Sequence, residues 1–99
     1  MSYLCIDFGG TKTLVCSIDE NKNIASQLRF ETPVDYLEFL DLLLTRINEL
    51  PENFDKGVMS VPGLIDQDSG VVVALGNRPW TNFHLCNDIK SRGGPDITI

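Results

Sequence analysis

A short polar loop near the N-terminus combines an aspartate, two glycines and a lysine. Asp7 stands at the end of an alternating segment, Gly9 and Gly10 follow it, and Thr11 and Lys12 lead into the next segment. Such a loop gathers backbone N–H groups and hydroxyls around one concavity, which is the kind of nest that holds phosphate oxygens. We expect the glycines to adopt positive φ and to let a ligand approach closely, with the charge of Lys12 on the terminal phosphates. The loop is therefore a candidate nucleotide site.

Asp7 has the same sign of charge as a phosphate and needs a cation beside it. Mg²⁺ keeps most of its water and is often held by one carboxylate together with substrate phosphates, so Asp7 is a candidate to hold Mg²⁺ of Mg-ATP through a water. The loop is not a Walker A motif, because the G-x-x-x-x-G-K-[ST] spacing is absent and a strand follows it. The loop alone is equally typical of a tight hairpin in which Gly9 and Gly10 serve the turn and Asp7 hydrogen-bonds to it.

Two later glycine positions are candidates for binding a sugar. Gly63 follows Pro62 after an apolar segment and presents bare backbone to a polyhydroxylated ligand. Gly76 precedes Asn77, whose side-chain amide both donates hydrogen bonds to hydroxyls and accepts them. Each pair alone is more typical of an ordinary turn or loop. The assignment of Gly63, Gly76 and Asn77 therefore depends on their occurring together with the N-terminal loop.

The first third of the chain predicts an antiparallel meander that positions the Asp7 loop. Apolar and polar residues alternate over residues 3–8 and 13–19, and a third extended segment covers 24–31. This alternation is typical of half-buried strands joined by short turns. Cys5 and Cys16 fall on adjacent strands, where we expect both to be small core residues.

A helix is predicted directly after the meander. Thr32 offers an N-cap hydroxyl, Pro33 suits the first helical position, and Pro51 ends the helix. The apolar stripe consists of Tyr36, Leu40, Leu43, Ile47 and Leu50, widened by Leu37 and Leu44. Residues 56–61 then predict a buried strand that the helix joins to the meander by a crossover.

The remaining segments predict smaller elements. Residues 64–70 indicate a polar hairpin turn, 71–75 a strand and 76–80 an irregular loop. Residues 85–92 predict a short helix closed by two glycines, and 95–99 begin a further strand. The whole pattern indicates an α/β fold with a mixed sheet, made of an antiparallel meander plus a crossover helix.

The composition excludes several classes of protein. The 99 residues contain 8 basic and 14 acidic side chains, a net charge of −6, whereas a nucleic-acid surface needs concentrated positive charge. The three cysteines and single histidine lack the spacing of a disulfide framework or zinc site. No basic stretch precedes an apolar run, and no such run reaches the length that spans a membrane. We expect a cytoplasmic protein with one core and with neither nucleic-acid nor membrane partners.

The order of these motifs resembles the N-terminal lobe of the ROK family, named for repressors, open reading frames and sugar kinases. The resemblance rests on Asp7-x-Gly-Gly-Thr-Lys, Val61-Pro62-Gly63 and Gly76-Asn77-Arg78-Pro79-Trp80, and extends over essentially the whole chain. It implies the ribonuclease-H-like fold of actin, sugar kinases and Hsp70, in which ATP and sugar meet between two lobes. It further implies a kinase acting on a hexose or N-acyl-hexosamine, with residues 7–12 at Mg-ATP and Gly63, Gly76 and Asn77 at the sugar.

The resemblance places the catalytic base outside this chain. ROK kinases have an Asn-Asp pair after the strand that begins here at Pro95, and the sequence reaches only Ile99. Asn87-Asp88 lies within the short helix and is not expected to replace that pair, and His84 is expected to be a surface or packing residue. Residues 1–99 are therefore expected to be a single N-terminal lobe, truncated before the catalytic pair and the missing C-terminal lobe, and inactive alone.

Two other functions stay open. The sugar-sensing domain of a ROK-type transcriptional regulator would have a helix-turn-helix module before the kinase-like loop. The six residues that precede Asp7 are too few for such a module, so this alternative requires a polypeptide that begins before Met1. A module that acts by association would form a homodimer through exposed edge strands and an apolar cleft face.

Overall fold

A computed structural model describes residues 2–54, 56–76 and 78–99 of the chain. The elements in chain order are β1 (Tyr3–Phe8), β2 (Lys12–Ile18), β3 (Ile24–Glu31), α1 (Tyr36–Glu49), β4 (Lys56–Ser60), β5 (Gly63–Asp66), β6 (Val71–Leu75), β7 (Thr81–Phe83), α2 (Leu85–Ser91) and β8 (Asp96–Thr98). After β3 the chain forms α1, the four strands β4 to β7, α2 and β8.

The larger of the two sheets is mixed and has the order β3-β2-β1-β4-β8. β1 pairs antiparallel with β2 and parallel with β4, and β4 pairs parallel with β8. The predicted meander and the predicted crossover through α1 are both confirmed. Because β1, β4 and β8 are parallel, their carboxyl ends lie at the same edge of the sheet, where open α/β sheets bind ligands.

The core lies between α1 and one face of this sheet. Alternate residues of β1, namely Leu4, Ile6 and Phe8, are buried, and they belong to one cluster with the inner side of α1. The rings of Phe8 and Phe39 stack with centroids 4.6 Å apart. Phe39 was not part of the predicted stripe, whereas Leu37 is exposed and does not widen it. The two differ because Phe39 faces the sheet end that contains Phe8.

The predicted start of α1 is wrong by three residues. Asp35 is the N-cap, and its carboxylate accepts a hydrogen bond from the Glu38 backbone N–H at 3.0 Å. A carboxylate there also interacts favourably with the helix dipole. Thr32 is buried and uses its hydroxyl elsewhere, while the helix ends before Pro51 as predicted.

A second sheet of three strands, in the order β5-β6-β7, replaces part of the predicted turn region. The turn predicted for 64–70 is confined to 67–70, because β5 pairs antiparallel with β6 from Gly63 onward. Gly70 ends that turn with φ of +69°, a conformation that glycine adopts without steric cost. β7 was not predicted, since its three residues are too few to show alternation.

Candidate functional site

The carboxyl ends of β1 and β4 place Asp7 beside Ser60. The two residues are register partners of the parallel pair, and the Ser60 hydroxyl donates to Asp7 Oδ1 at 2.8 Å. Both side chains are exposed and lie on the sheet face opposite α1, because they alternate with buried neighbours. The hydrogen bond fixes one carboxylate oxygen of Asp7. Asp7 is thus held in place and accessible.

The loop from Asp7 to Lys12 is a hairpin turn, and the role of its glycines differs from the prediction. Neither Gly9 nor Gly10 has positive φ; the glycines that do are Gly70 and Gly93. Gly9 is instead required by a close approach, because a Cβ there would lie 2.3 Å from the backbone oxygen of Lys12. The expectation of positive φ in this loop is therefore wrong. The turn is tight enough that any side chain at position 9 would displace the backbone of Lys12.

Thr32 braces this turn from the end of β3. Its hydroxyl donates to the Gly9 carbonyl oxygen at 2.8 Å, and its backbone N–H donates to the Thr11 carbonyl oxygen at 2.9 Å. The hydroxyls of Thr13 and Thr32 are 2.8 Å apart. Since a hydroxyl has a single proton and that of Thr32 goes to Gly9, Thr13 is the donor of this pair. The turn is fixed by buried hydrogen bonds rather than by its glycines alone.

A concavity of about 260 Å³ beside the turn is lined by Asp7, Lys12, Thr13, Leu14 and Arg29. The structure therefore brings together the two charged residues of the predicted phosphate loop. Neither Lys12 nor Arg29 forms a salt bridge with another described residue. Two exposed cations in a chain with a net charge of −6 make this concavity locally suited to an anion.

Arg29 was missed by the sequence analysis. It lies on β3 opposite Leu14, which in turn lies opposite Asp7 on β1. Directly opposed residues point to the same face of a sheet, so Arg29, Leu14 and Asp7 form one row. The alternation of β3 was visible in the sequence, but the row depends on the register, which alternation does not determine.

The donor set fits Mg²⁺ only in the presence of a phosphate ligand. Among the described residues no three His, Cys, Asp or Glu side chains are grouped to hold a metal ion. Asp7 alone supplies a carboxylate at the concavity, and a single carboxylate is a usual protein contribution to Mg²⁺ that is otherwise bound by phosphates and water. Asp7 with Lys12 and Arg29 can therefore hold a magnesium-bound phosphate chain.

The second predicted group lies on the small sheet. Gly63 starts β5 opposite Leu75, so Gly76, one residue further, is at the same end of this ladder. A Cβ at Gly63 would lie 2.3 Å from the Ala74 backbone oxygen, whereas one at Gly76 would meet nothing within 4 Å. Asn77 lies outside the described residues. The structure thus brings Gly63 and Gly76 together at an exposed end of the sheet.

This end of the small sheet is connected to the hairpin through residues 32–34. The Arg78 guanidinium donates to the Thr32 carbonyl oxygen at 3.0 Å, and the Trp80 indole N–H donates to the Val34 carbonyl oxygen at 2.8 Å. Trp80 is buried among the rings of Phe8, Tyr36, Phe39 and Phe83. Because Gly63 is three residues after Ser60, their Cα atoms are at most about 11 Å apart. The two predicted groups therefore share one edge of the fold.

Asp88 and His84, for which no catalytic role was expected, lie on α2 and at its start. Asp88 accepts a hydrogen bond from the Tyr36 hydroxyl at 2.6 Å, which fastens α2 to α1. Burial raises the pKa of Tyr36, and the hydrogen bond to Asp88 raises it further. His84 is exposed at the start of α2.

A larger groove of about 590 Å³ is lined by the C-terminal part of α1 and the start of β8, at the sheet end opposite Asp7.

The strand order with its antiparallel meander, parallel crossover and helices defines a ribonuclease-H-like α/β lobe, with a hairpin and a concavity at the carboxyl end of β1. Residues 3–99 match the sequence profile of the ROK family. The chain belongs to this family. No curated protein sequence gives a significant match.

Solved structures of ROK proteins have the same fold. A ROK family glucokinase from Streptomyces griseus, in complex with glucose and AMPPNP, matches with a TM-score of 0.91 at 20% identity, covering 100% of this chain and 32% of that chain. A ROK family protein from Streptococcus pneumoniae TIGR4, in complex with sucrose, gives 0.81 at 26% identity over 98% and 33%. A ROK family transcriptional regulator, a homolog of the E. coli MLC protein, gives 0.83 at 16% over 98% and 26%.

The chain therefore spans about a third or less of the length of these structures. Neither helix within the described residues combines the length and the apolar character that crossing a membrane requires.

Proposed function

We propose that this chain is the N-terminal lobe of an ATP-dependent sugar kinase, which transfers a phosphoryl group from Mg-ATP to a hexose or N-acyl-hexosamine hydroxyl. The observation that carries the proposal is the convergence of Asp7, Lys12 and Arg29 on one concavity beside a braced turn. Phosphoryl transfer is catalysed mainly by positioning and by electrostatic stabilisation of the phosphate oxygens, and both require such a group of charges.

Each residue of the hairpin has a separate task in this proposal. Lys12 and Arg29 contact phosphate oxygens, and the backbone N–H groups of Gly10 and Thr11 add neutral donors. Asp7, oriented by Ser60, holds a water of the hydrated Mg²⁺. When bound, Mg²⁺ neutralises the negative charge that develops on the phosphates. Ser60 and Arg29 extend the site beyond the predicted loop.

The sugar is proposed to bind at the exposed end of the small sheet. Gly76 is exposed and has no packing reason to lack a side chain, so a ligand that approaches its backbone is the simplest explanation for the glycine. Gly63 and Asn77 complete this group, with the Asn77 amide on a sugar hydroxyl. The cation of Arg78 and the indole of Trp80 keep this segment close to the hairpin.

The general base that activates the sugar hydroxyl is proposed to lie in the polypeptide that follows β8. The carboxyl end of β8 lies at the same sheet edge as Asp7, so residues after it enter the same region. Asp88 is occupied by the Tyr36 hydroxyl and is not a candidate. We therefore expect residues 1–99 alone to bind substrates without transferring phosphate, in a cytoplasmic protein whose second lobe closes the cleft.

Equilibrium binding of Mg-ATP to the 99-residue chain tests this proposal. Titration calorimetry is expected to show binding that weakens about tenfold, or 1.4 kcal/mol, when Asp7→Asn removes the carboxylate charge or when EDTA removes Mg²⁺. Asp68→Asn is the matched control, because Asp68 is exposed on the 67–70 turn. Equal affinities of the Asp7 and Asp68 variants would contradict the proposal. So would sugar phosphorylation by the isolated chain that Asp7→Ala abolishes, because the base would then lie within it.

A sugar-sensing domain of a ROK-type regulator is the second candidate, because a ROK family transcriptional regulator has the same fold. A sensor must bind a sugar but does not need to bind ATP with Mg²⁺. Sugar binding by the chain with no Mg²⁺-dependent binding of ATP would favour the sensor over the kinase.

A further inference from the structure

Two cysteine thiols face each other across the hairpin. Cys5 on β1 and Cys16 on β2 are register partners of the antiparallel pair, so their side chains lie side by side on the face opposite α1. Directly opposed residues of antiparallel strands have Cα atoms about 4.5–5.5 Å apart. Disulfides join Cα atoms about 4.4–6.8 Å apart. The backbone of the hairpin therefore already has the spacing that a disulfide needs.

The surroundings of the two thiols differ. Both are free; Cys16 is buried, whereas Cys5 is only partly buried. Burial raises the pKa of the Cys16 thiol, and the neighbouring Cys5 thiol raises it further. Cys86, on α2, has its Sγ beside Gly70 at a different part of the fold. Of the three cysteines, only Cys5 and Cys16 are therefore neighbours.

We propose that Cys5 and Cys16 form a reversible redox pair, which a hydroperoxide oxidises to a disulfide across β1 and β2. The more exposed Cys5 sulfur attacks the hydroperoxide, breaking its O–O bond, so that an alcohol (water, for hydrogen peroxide) leaves and a sulfenic acid forms. The Cys16 sulfur then attacks the Cys5 sulfur, the S–S bond forms, and the hydroxyl leaves as water with the proton of Cys16. The two thiols together lose two electrons and two protons, which the hydroperoxide accepts.

The disulfide would close a ring around the anion-binding turn. Residues between Cys5 and Cys16 include Asp7, Gly9 and Lys12. The cross-link lies two residue pairs along the ladder from the Asp7–Leu14 pair. Because the strands already have the required spacing, only the side-chain torsions need to change, and the turn keeps its register. Oxidation would therefore restrict opening of the hairpin without displacing its charged side chains. This proposal does not depend on the substrate of the lobe.

Peptide mapping of the oxidised protein tests the proposal without any substitution. The chain is treated with a small excess of hydrogen peroxide, remaining thiols are alkylated, and the protein is digested with trypsin under non-reducing conditions. Trypsin cleaves after Lys12, between the two cysteines, so the disulfide would join the peptide ending at Lys12 to the peptide 13–22. Cys86 lies in a third peptide, ending at Lys90. The expected result is the linked pair in a monomeric protein, released by dithiothreitol, with Cys86 alkylated.

Single-cysteine variants provide the controls. Cys86→Ser is expected to leave the yield of the linked pair unchanged, and Cys5→Ser is expected to abolish it. Cys16→Ala, chosen because serine is polar and Cys16 is buried, is expected to abolish the linked pair as well. Recovery of the Cys5 and Cys16 peptides separately, each alkylated or each oxidised beyond the sulfenic acid, would overturn the proposal. A link that appears only in a covalent dimer would overturn it too.

Discussion

The hairpin of residues 7–12 and the segment with Gly63 and Gly76 are both glycine sites, yet different observations point to a ligand at each. Gly9 and Gly63 are required by packing, since a Cβ at either would lie 2.3 Å from a backbone oxygen. Gly76 has open space around it. At the hairpin the evidence for a ligand consists of charged side chains that converge, whereas at the small sheet it consists of a glycine without a packing reason. Among these three glycines only Gly76 points to a ligand by lacking a side chain, and Gly63 joins it through its position at the same end of the β5–β6 ladder.

The largest expected effect is on the stability of the small sheet. Gly63→Ala is predicted to lower the free energy of unfolding by about 3 kcal/mol, because the added Cβ must displace the Ala74 carbonyl in the β5–β6 ladder. Urea unfolding followed by circular dichroism measures the change.

Gly76→Ala is the matched control for Gly63→Ala. Its Cβ would enter open space, so the free energy of unfolding is expected to change by at most about 0.5 kcal/mol, while the affinity for a sugar falls. Similar losses of stability in both variants would remove the distinction between the two glycines.

The brace of the hairpin gives the next largest effect. Thr32→Val removes the hydroxyl that donates to the Gly9 carbonyl and accepts from Thr13, and leaves two polar groups without these partners. We predict a loss of about 2 kcal/mol in the free energy of unfolding. Thr45→Val is the control, because the exposed Thr45 hydroxyl donates to the Asp41 carbonyl within α1, and its loss is expected to cost at most about 0.5 kcal/mol. Equal costs at both positions would mean that Thr32 does not brace the turn.

The smallest expected effect concerns the orientation of Asp7. Ser60→Ala removes the hydroxyl that donates to Asp7 Oδ1, and is predicted to weaken Mg²⁺-dependent ATP binding about fivefold, or 1 kcal/mol, with the affinity for ATP in EDTA unchanged. Ser69→Ala, on the exposed 67–70 turn, is the control. An equal loss in EDTA would show that Ser60 acts on the nucleotide directly and not through Asp7.

Local patterns in the sequence predicted the larger sheet well and the smaller one incompletely. Alternation over the meander and the i, i+3, i+4 spacing of α1 persist over many residues, so β1 to β4 were predicted in the correct order. β5 and β7 are short, and their strand pairing depends on β6, which lies between them. Their formation is a tertiary effect that the periodicity of a three- or four-residue segment does not reveal.

The candidate site was likewise predicted only in part. Asp7 and Lys12 are close in sequence, so a turn was enough to bring them together. Arg29 and Ser60 reach the same place only through the β2–β3 and β1–β4 registers. Thr32 was assigned to the wrong structure because a hydroxyl before a helix is equally suited to a cap and to a brace. Contacts that depend on register require the structure.

The central claim is that the hairpin, and not the small sheet, binds the nucleotide phosphates. Residue-resolved NMR of the chain during titration with Mg-AMPPNP tests this claim most directly, with Lys12→Met and Arg29→Gln compared against Lys90→Met on α2. We predict shifts of the Gly10 and Thr11 amide signals that are strongly reduced in the first two variants and unchanged in the third. Shifts concentrated at Gly63 and Gly76, or equal in all three variants, would contradict the account.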